Sequence, residues 1–401
     1  MSWELKSLDE LGFIGRGKSR HRPRNDQSLY GGIYPFIQTG DIKGADFYVS
    51  EYTQTYSQKG LEQSKLWEPN TLCITIAANI ADTAILKIQA CFPDSVIGFI
   101  ANENICEVKY VKYFFEVFQK NMQMVSQGAT QDNLSLEKLL KFKVPTPPLQ
   151  TQKRIASILS NYDDLIENNN KRIKLLEETA QNIYKEWFVN LRFPNYENTA
   201  FDKESGLPVG WRKGKISEFG QVITGKTPST KNDSFYNGKI PFVKTPDMHG
   251  MPYVVYTNDT LTEAGAESQN NKFLPKNSVM VSCIGTAGVV SLTSESCQTN
   301  QQINSVKFEE DYKSFYFFCF AKGLKTLLEG LGSNGATMVN VNKGKFENIE
   351  IIMPNNSLLI KFNDVTKVIF EQILLLQTQN QKLKEVRDIL LPRLMNRTIE
   401  V

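Results

Sequence analysis

The sequence predicts a mixed α+β fold made of two homologous halves, each with twisted β-sheets and a long helix after them. Three observations predict it. Motifs recur in the same order about 207 residues apart, short β-rich runs fill the first 150 residues or so of each copy, and a heptad pattern closes each copy. A chain of 401 residues is also too long for one ordinary core.

The repeat can be followed residue by residue. Trp3, Glu10, Gly12, Gly17 and Lys18 match Trp211, Glu218, Gly220, Gly225 and Lys226 at an offset of 208. PFIQTGD (35–41) matches PFVKTPD (241–247) at 206, as Cys91 matches Cys297, and GATQDNLS (128–135) matches GATMVNVN (335–342) at 207. Offsets that drift so little indicate one ancestral unit copied with small indels. Two long copies make a pseudo-dimer on one chain, since a solenoid needs shorter and more numerous repeats.

Within each copy, runs such as TLCITIA (71–77) and NSVMVSCIG (277–285) read as strands, and 110–124 and 313–330 as helices. The heptad of the first copy places Ile155, Tyr162, Asn169, Leu176 and Ile183 at one core position and Leu159, Ile166, Ile173, Ala180 and Trp187 at the other. The second copy places Phe362, Ile369, Leu376, Leu383 and Leu390 at the first, and Thr366, Ile373, Asn380, Arg387 and Leu394 at the second. Heptads kept over about 33 residues, roughly 50 Å, predict coiled-coil helices. The expected organisation is 1–150 for the first domain, 151–190 for its helix, 191–210 for a Pro-, Gly- and Asn-rich linker, 211–353 for the second domain and 354–397 for its helix.

Composition narrows the function. A net charge of +3 means that any basic surface is local. No apolar run approaches the roughly 18 residues of a membrane span, and MSWELKSLDEL lacks the pattern of a signal peptide. The six cysteines form no CxxC pair and only two histidines accompany them, so reduced thiols of a cytoplasmic protein are expected, with no metal site.

GFIGRGKS (12–19) and GQVITGKT (220–227) both fit the phosphate-cradling pattern G-x-x-x-x-G-K-[ST]. A nucleotide site needs a helix directly after it, and the polar, turn-prone RHRPRNDQ and PSTKNDSFYNG that follow do not supply one. The glycines and lysine read instead as a turn offering backbone N–H groups and a cation to an anion such as a DNA phosphate. Asp94, Glu107 and Lys109 resemble a nuclease triplet, but the second copy does not repeat it. No catalytic set emerges. A stand-alone ATPase or nuclease is the competing reading, and a protein-only bridging module a third.

Binding remains. Arg16, Lys18, Arg20, Arg22 and Arg24 occupy every second position, a row that an extended segment projects to one side along a phosphate backbone. The matching stretch of the second copy offers Lys226, Thr227, Ser229, Thr230 and Lys231. Polar residues inside the other repeated motifs complete the candidate DNA-binding set: Gln38, Thr39, Thr130, Gln131 and Asn133 in the first copy, and Lys244, Thr245, Thr337 and Asn340 in the second. The copies share a framework and differ where a ligand would be read.

Taken in order, ITGKTPS (223–229), IPFVKTPDM (240–248), GATQDNLS, PTPPLQTQKRIASIL (145–159), EWFVNLRFP (186–194), SGLPVGW (205–211) and VRDILLPRLM (386–395) resemble the specificity subunit of Type I restriction-modification systems over nearly the whole chain. The resemblance implies two target-recognition domains, each reading one half of a bipartite site in double-stranded DNA. It implies that the long helices pack antiparallel with pseudo-two-fold symmetry, set the spacing and hold two methyltransferase subunits. Restriction subunits would join through that complex. S-adenosylmethionine belongs to the methyltransferase and ATP with Mg²⁺ to the restriction subunits, so this chain needs no cofactor and is non-catalytic by itself. Antiparallel pairing with coincident midpoints sets Asn169 against Asn380, Ile173 against Leu376, Ile166 against Leu383, Leu159 against Leu390 and Trp187 against Phe362. Tyr162 and Arg387 form one mixed layer, near water or in a cation–π contact.

Overall fold

The computed structural model describes residues 3–77, 81–127 (backbone only from 120), 135–332 and 339–401. Contacts divide the chain into two compact units, Met1–Glu167 with Leu383–Val401, and Asn168–Lys382.

The first unit is built on a five-stranded sheet in the order Gly12–Arg16, Val96–Ala101, Leu72–Thr75, Thr83–Leu86, Tyr48–Val49. Its pairings are antiparallel except for the last. The second unit repeats order and directions with Gln221–Thr224, Ile303–Lys307, Val279–Ser282, Val290–Thr293 and Tyr253–Val254. A second sheet also recurs. Tyr30–Phe36 lies between Gln54–Tyr56 and Ala90–Cys91, as Tyr236–Val243 lies between Asp259–Leu261 and Gln298–Thr299.

Leu72–Thr75 and Val279–Ser282 are buried at every position, because each main sheet is covered on both faces. In the first unit Leu72 and Ile74 pack with Tyr110, Val111, Tyr113 and Phe114 of the helix Val108–Gln127, while Cys73 turns to the opposite cluster around Trp67 and Phe92. That is the two-residue alternation of a pleated strand. The second unit covers its sheet with Ser314–Lys322 and Lys325–Gly332, two helices where the pattern predicts one. Glu10 and Glu218, matched in the repeat, do the same job. Each accepts the N–H three residues earlier, of Ser7 at 2.7 Å and of Lys215 at 3.0 Å, and so caps a short helix. All six cysteines are buried, and burial pushes Cys106 and Cys297 up to about 12 and Cys283 to about 11, so these three are inert thiols.

The first long helix is Leu149–Tyr184, extended by a π-helical turn at Lys185–Val189 that carries Trp187. The second is Asn356–Met395. They pair antiparallel within each unit. In the first unit Ile155 and Leu159 share a core with Leu390, Leu391 and Leu394, Ile166 is buried and Leu383 half-buried. In the second, Ile173 and Leu176 share one with Ile373 and Leu376, and the rings of Trp187 and Phe362 lie 5.8 Å apart. Asn169 and Asn380 are 1% and 6% exposed. The Asn169 amide donates to the Asn380 carbonyl at 2.8 Å, and Asn380 donates to Asn170 at 2.8 Å, so this polar layer is satisfied.

One layer needs correction. Arg387 does not turn to Tyr162. It pairs with Asp163, which also accepts the Tyr113 hydroxyl. Asp163 lies one place off the heptad, where the helix faces its domain, and a buried carboxylate draws the nearest guanidinium. The segment 191–210 also differs from a bare linker: Phe193 and Leu207 are buried in the second unit's core with Trp211, whose ring lies 5.4 Å from that of Phe193.

Candidate nucleic-acid interface

The two glycine–lysine turns serve the sheet. Gly17 N–H donates to Val96 O at 2.9 Å and Lys18 N–H to Phe92 O at 3.1 Å. Gly225 N–H donates to Ile303 O at 3.1 Å and Lys226 N–H to Thr299 O at 2.9 Å. Those N–H groups are consumed, which overturns the expectation that they cradle an anion. The glycines are there for close approach: a Cβ on Gly17 would lie 2.3 Å from Pro93 O, and one on Gly225 2.2 Å from Asn300 O.

Cations remain at the surface. Arg16, Lys18, Arg20, Arg22 and Arg24 are all exposed, and Gly17 and Ser19 between them are buried, so the two-residue period holds at its start. The straight row does not, because the strand Gly12–Arg16 ends at its first member. Arg22 folds back on the carbonyl of Ser19 at 2.7 Å, and Arg24 pairs with Asp94 at 3.0 Å. Arg16, Lys18 and Arg20 make no side-chain hydrogen bond or ion pair among the described residues. In the second copy Lys226, Ser229, Thr230 and Lys231 are exposed, and Thr227 donates to Gln301 at 2.7 Å.

Both loops are held by their backbones. Gln63 accepts the N–H groups of Arg20 and His21 at 2.6 and 3.0 Å, and Ser64 donates to Lys18 O at 2.8 Å. Gln269, which is Gln63 moved by the common offset of 206, donates to Lys226 O at 2.6 Å. Sequence reasoning missed this pair; the signal was their shared offset. Tyr30 OH donates to Arg24 O at 2.7 Å, and its counterpart Tyr236 donates to Pro228 O at 2.8 Å. Asp26 is held well below the carboxylate range by the Ser28 hydroxyl and N–H and by His21, and stays anionic beneath the basic loop. Lys65, 3.6 Å from the centre of the Trp67 ring, is lowered by burial and by Lys18.

Of the other candidates, Gln38 donates its amide to Gln54 at 2.9 Å, Thr39 is half-buried, and Lys244 pairs with Asp259 at 2.6 Å. Thr245 is 7% exposed, so its side chain is not on an open surface, because the short helix it begins turns it into the domain. Asn340 is exposed, in a strand paired with Ile284–Gly285. Thr130, Gln131, Asn133 and Thr337 lie outside the described residues. The nuclease-like trio is dispersed: Asp94 is paired with Arg24, Glu107 accepts Lys109 N–H at 3.3 Å, and Lys109 Nζ reaches Ser160 at 3.3 Å. Among the described residues no group of three His, Cys, Asp or Glu could hold a metal, and no helix is long and apolar enough to cross a membrane.

A duplicated sheet scaffold that anchors two polar loops by their backbones, and leaves their side chains outward, is that of a two-site binding module. Residues 1–178 and 208–384 match the Type I restriction modification DNA specificity domain, and the chain belongs to that family. It is a specificity subunit, the non-catalytic DNA-recognition component of a Type I restriction-modification complex. It is 28% identical to the Type I restriction enzyme HindI specificity subunit of Haemophilus influenzae, over 96% of this chain and 98% of that one. It is 26% identical to the MjaIX specificity subunit of Methanocaldococcus jannaschii, over 98% and 92%. The fold is that of the Type I S subunit from M. genitalium, with a TM-score of 0.59 at 13% identity, covering 98% of this chain and 96% of that one.

Proposed function

We propose that each copy reads one half of a bipartite, gapped site in double-stranded DNA, and that the paired helices fix the length of the gap. The observation that carries this is the repetition of one anchored loop, by Gln63 in one copy and Gln269 in the other, with different exposed side chains on each. A common scaffold with unlike tips suits two readers of two sequences. Exposed Arg and Lys supply phosphate contacts, and polar tips and bases supply discrimination.

The helices suit a ruler. A slip of one heptad shifts one helix along the other by about 10 Å, roughly three base pairs. The Asn169–Asn380 layer resists such a slip, because any other register strands a buried amide against an apolar layer. The exposed outer faces of the same helices are the natural seats for two methyltransferase subunits, which bring S-adenosylmethionine. Restriction subunits with ATP and Mg²⁺ would join through them, in a prokaryotic cytoplasm.

Domain exchange tests the reading. Residues 211–350 are replaced with the equivalent part of another specificity subunit, and the methylated motif is determined by sequencing. One half of the motif is expected to change while the other half and the gap stay. A change in both halves would refute independent readers.

A further inference from the structure

Both copies carry one feature that neither the sheet nor the basic loops require. The strand Tyr30–Phe36 pairs with Gln54–Tyr56, but its register jumps: Tyr30 and Tyr34 both face Tyr56, and Gly31, Gly32 and Ile33 bulge out between them. In the second copy Tyr236 and Ile240 both face Leu261, and Asn237, Gly238 and Lys239 bulge out. The bulges coincide at the offset of 206.

Their construction is the same. Gly31 and Asn237 take positive φ, +80° and +63°, a conformation open to glycine and tolerated by asparagine. A Cβ on Gly32 would lie 2.5 Å from Tyr56 O, and one on Gly238 2.3 Å from Leu261 O, so the middle position presses on the partner strand in both. Ser57 and Thr262 staple the base, donating to Ser28 O and Ser234 O, each at 2.7 Å. The tyrosine that opens each bulge is the one hydrogen-bonded to the basic loop, Tyr30 to Arg24 O and Tyr236 to Pro228 O. Bulge and loop are therefore one joined surface in each domain.

What the bulge presents differs. Ile33 is 82% exposed, more than any other exposed large apolar residue described. Its counterpart Lys239 is exposed and makes no hydrogen bond or ion pair among the described residues. A single exposed isoleucine needs no explanation on a protein surface. A twice-built bulge that lifts one side chain clear of the domain, joined to a loop with exposed cations, does.

We propose that Ile33 and Lys239 are specificity-determining residues. Each is carried by its bulge into a groove of the DNA half-site read by its own domain, with Ile33 making an apolar contact of the kind a thymine methyl offers and Lys239 donating to a base-edge acceptor such as guanine O6 or N7. This rests on the DNA-reading function proposed above. Bulges suit the task because they re-aim a side chain, and here the pairing resumes beyond them, Phe36 with Gln54 and Phe242 with Asp259.

The test exchanges the tips in the assembled methyltransferase complex. Ile33→Lys and Lys239→Ile variants are each selected against a randomised DNA library beside the wild type, with thermal unfolding as a check on the fold. Lys239→Ile is expected to reduce the preference at one base position by roughly tenfold, in its own half-site only. Ile33→Lys is expected to change one position of the other half. Unchanged preferences in folded variants would overturn the proposal, as would a uniform loss of affinity across all sequences, which is the mark of a phosphate contact. A wild-type assembly that selected no two-part site would overturn the functional reading and this inference with it.

Discussion

The two domains meet their long helices in opposite chemical ways. In the first unit the junction is ionic: Asp163 takes both the Arg387 guanidinium and the Tyr113 hydroxyl, and Lys112 pairs with Glu116 beside them. In the second unit the equivalents of Asp163, Tyr113 and Arg387, at offsets of 206 or 207, are Phe370, Cys319 and Ala180. There Phe370 stacks on Phe315 at 4.3 Å and meets Phe318 edge-on, and Cys319 lies against Ala180. One ancestral junction has thus been kept once as a charge network and once as an aromatic core. Burial pushes the Asp163 carboxyl up, against the pull of Arg387 and Tyr113. Burial also works against the Arg387 charge, yet Asp163 holds that guanidinium above its ordinary range. The difference teaches that the fold needs the space filled and not any particular chemistry in it. The ionic version adds directional bonds at one end of the helix pair that the aromatic end cannot satisfy.

The largest expected effect comes from breaking each junction. Asp163→Ala takes the buried partner from the half-buried Arg387, which keeps only Asp388, and the acceptor from the Tyr113 hydroxyl, and is expected to cost about 2–4 kcal/mol. Phe370→Ala empties a packed site at a similar cost of about 3–5 kcal/mol. Urea unfolding of the purified chain checks both, and a cost under about 1 kcal/mol for Asp163→Ala would remove the ionic junction from the account. The sharper experiment replaces rather than breaks. Tyr113→Phe, Asp163→Leu and Arg387→Met together are expected to be neutral or to stabilise by about 1–4 kcal/mol, because the desolvation of two charges disappears. A triple variant as unstable as Asp163→Ala alone would contradict the equivalence of the two junctions.

The basic loops extend the comparison to DNA. Lys18→Ala with Arg20→Ala removes two unpaired cations and is expected to lower the slope of log K against log salt by about 1.8, at about 0.9 per phosphate contact. Arg24→Ala, whose guanidinium is already neutralised by Asp94, is expected to change the slope less. A change of about 0.9, the full value of one contact and half that of the double variant, would mean that the Arg24–Asp94 pair opens on binding. The smallest effect is at the capping glutamates. Ser7, and to a lesser degree Lys143, hold Glu10 down to about 2 from an ordinary 4.5. A depressed carboxyl gives stability that is present above its unfolded value and lost as pH falls from about 4.5 towards 2. Glu10→Gln should flatten the acid limb of the unfolding curve in that window, and an unaltered limb would discount the cap.

Much of this was legible in the sequence. The repeat showed in matched motifs and the long helices in the heptads; the resemblance implied their antiparallel pairing, and coincident midpoints then set Asn169 against Asn380, where the structure has them hydrogen-bonded. Asp163 was not legible. It sits beside a heptad position rather than on it, and a carboxylate there reads as solvent-facing until the domain helix is known to cover it. The glycine–lysine turns misled for a similar reason: a pattern of residue types does not say whether its N–H groups are already bonded to a neighbouring strand. The bulges left a trace, Tyr-Gly-Gly-Ile-Tyr before one Pro-Phe and Tyr-Asn-Gly-Lys-Ile before the other, but only the strand register gives it meaning.

The measurement that bears most directly on the account is the pattern of modified bases made by the complex of this chain with its methyltransferase, read by sequencing methylated DNA. Two short specified halves are expected, separated by a gap of fixed length and indifferent sequence, with modification on both strands. The variant Asn169→Leu with Asn380→Leu should leave both halves intact while sites of altered gap length appear. A continuous motif without a gap would contradict two separate readers, and a gap indifferent to that central layer would contradict the helices as its ruler.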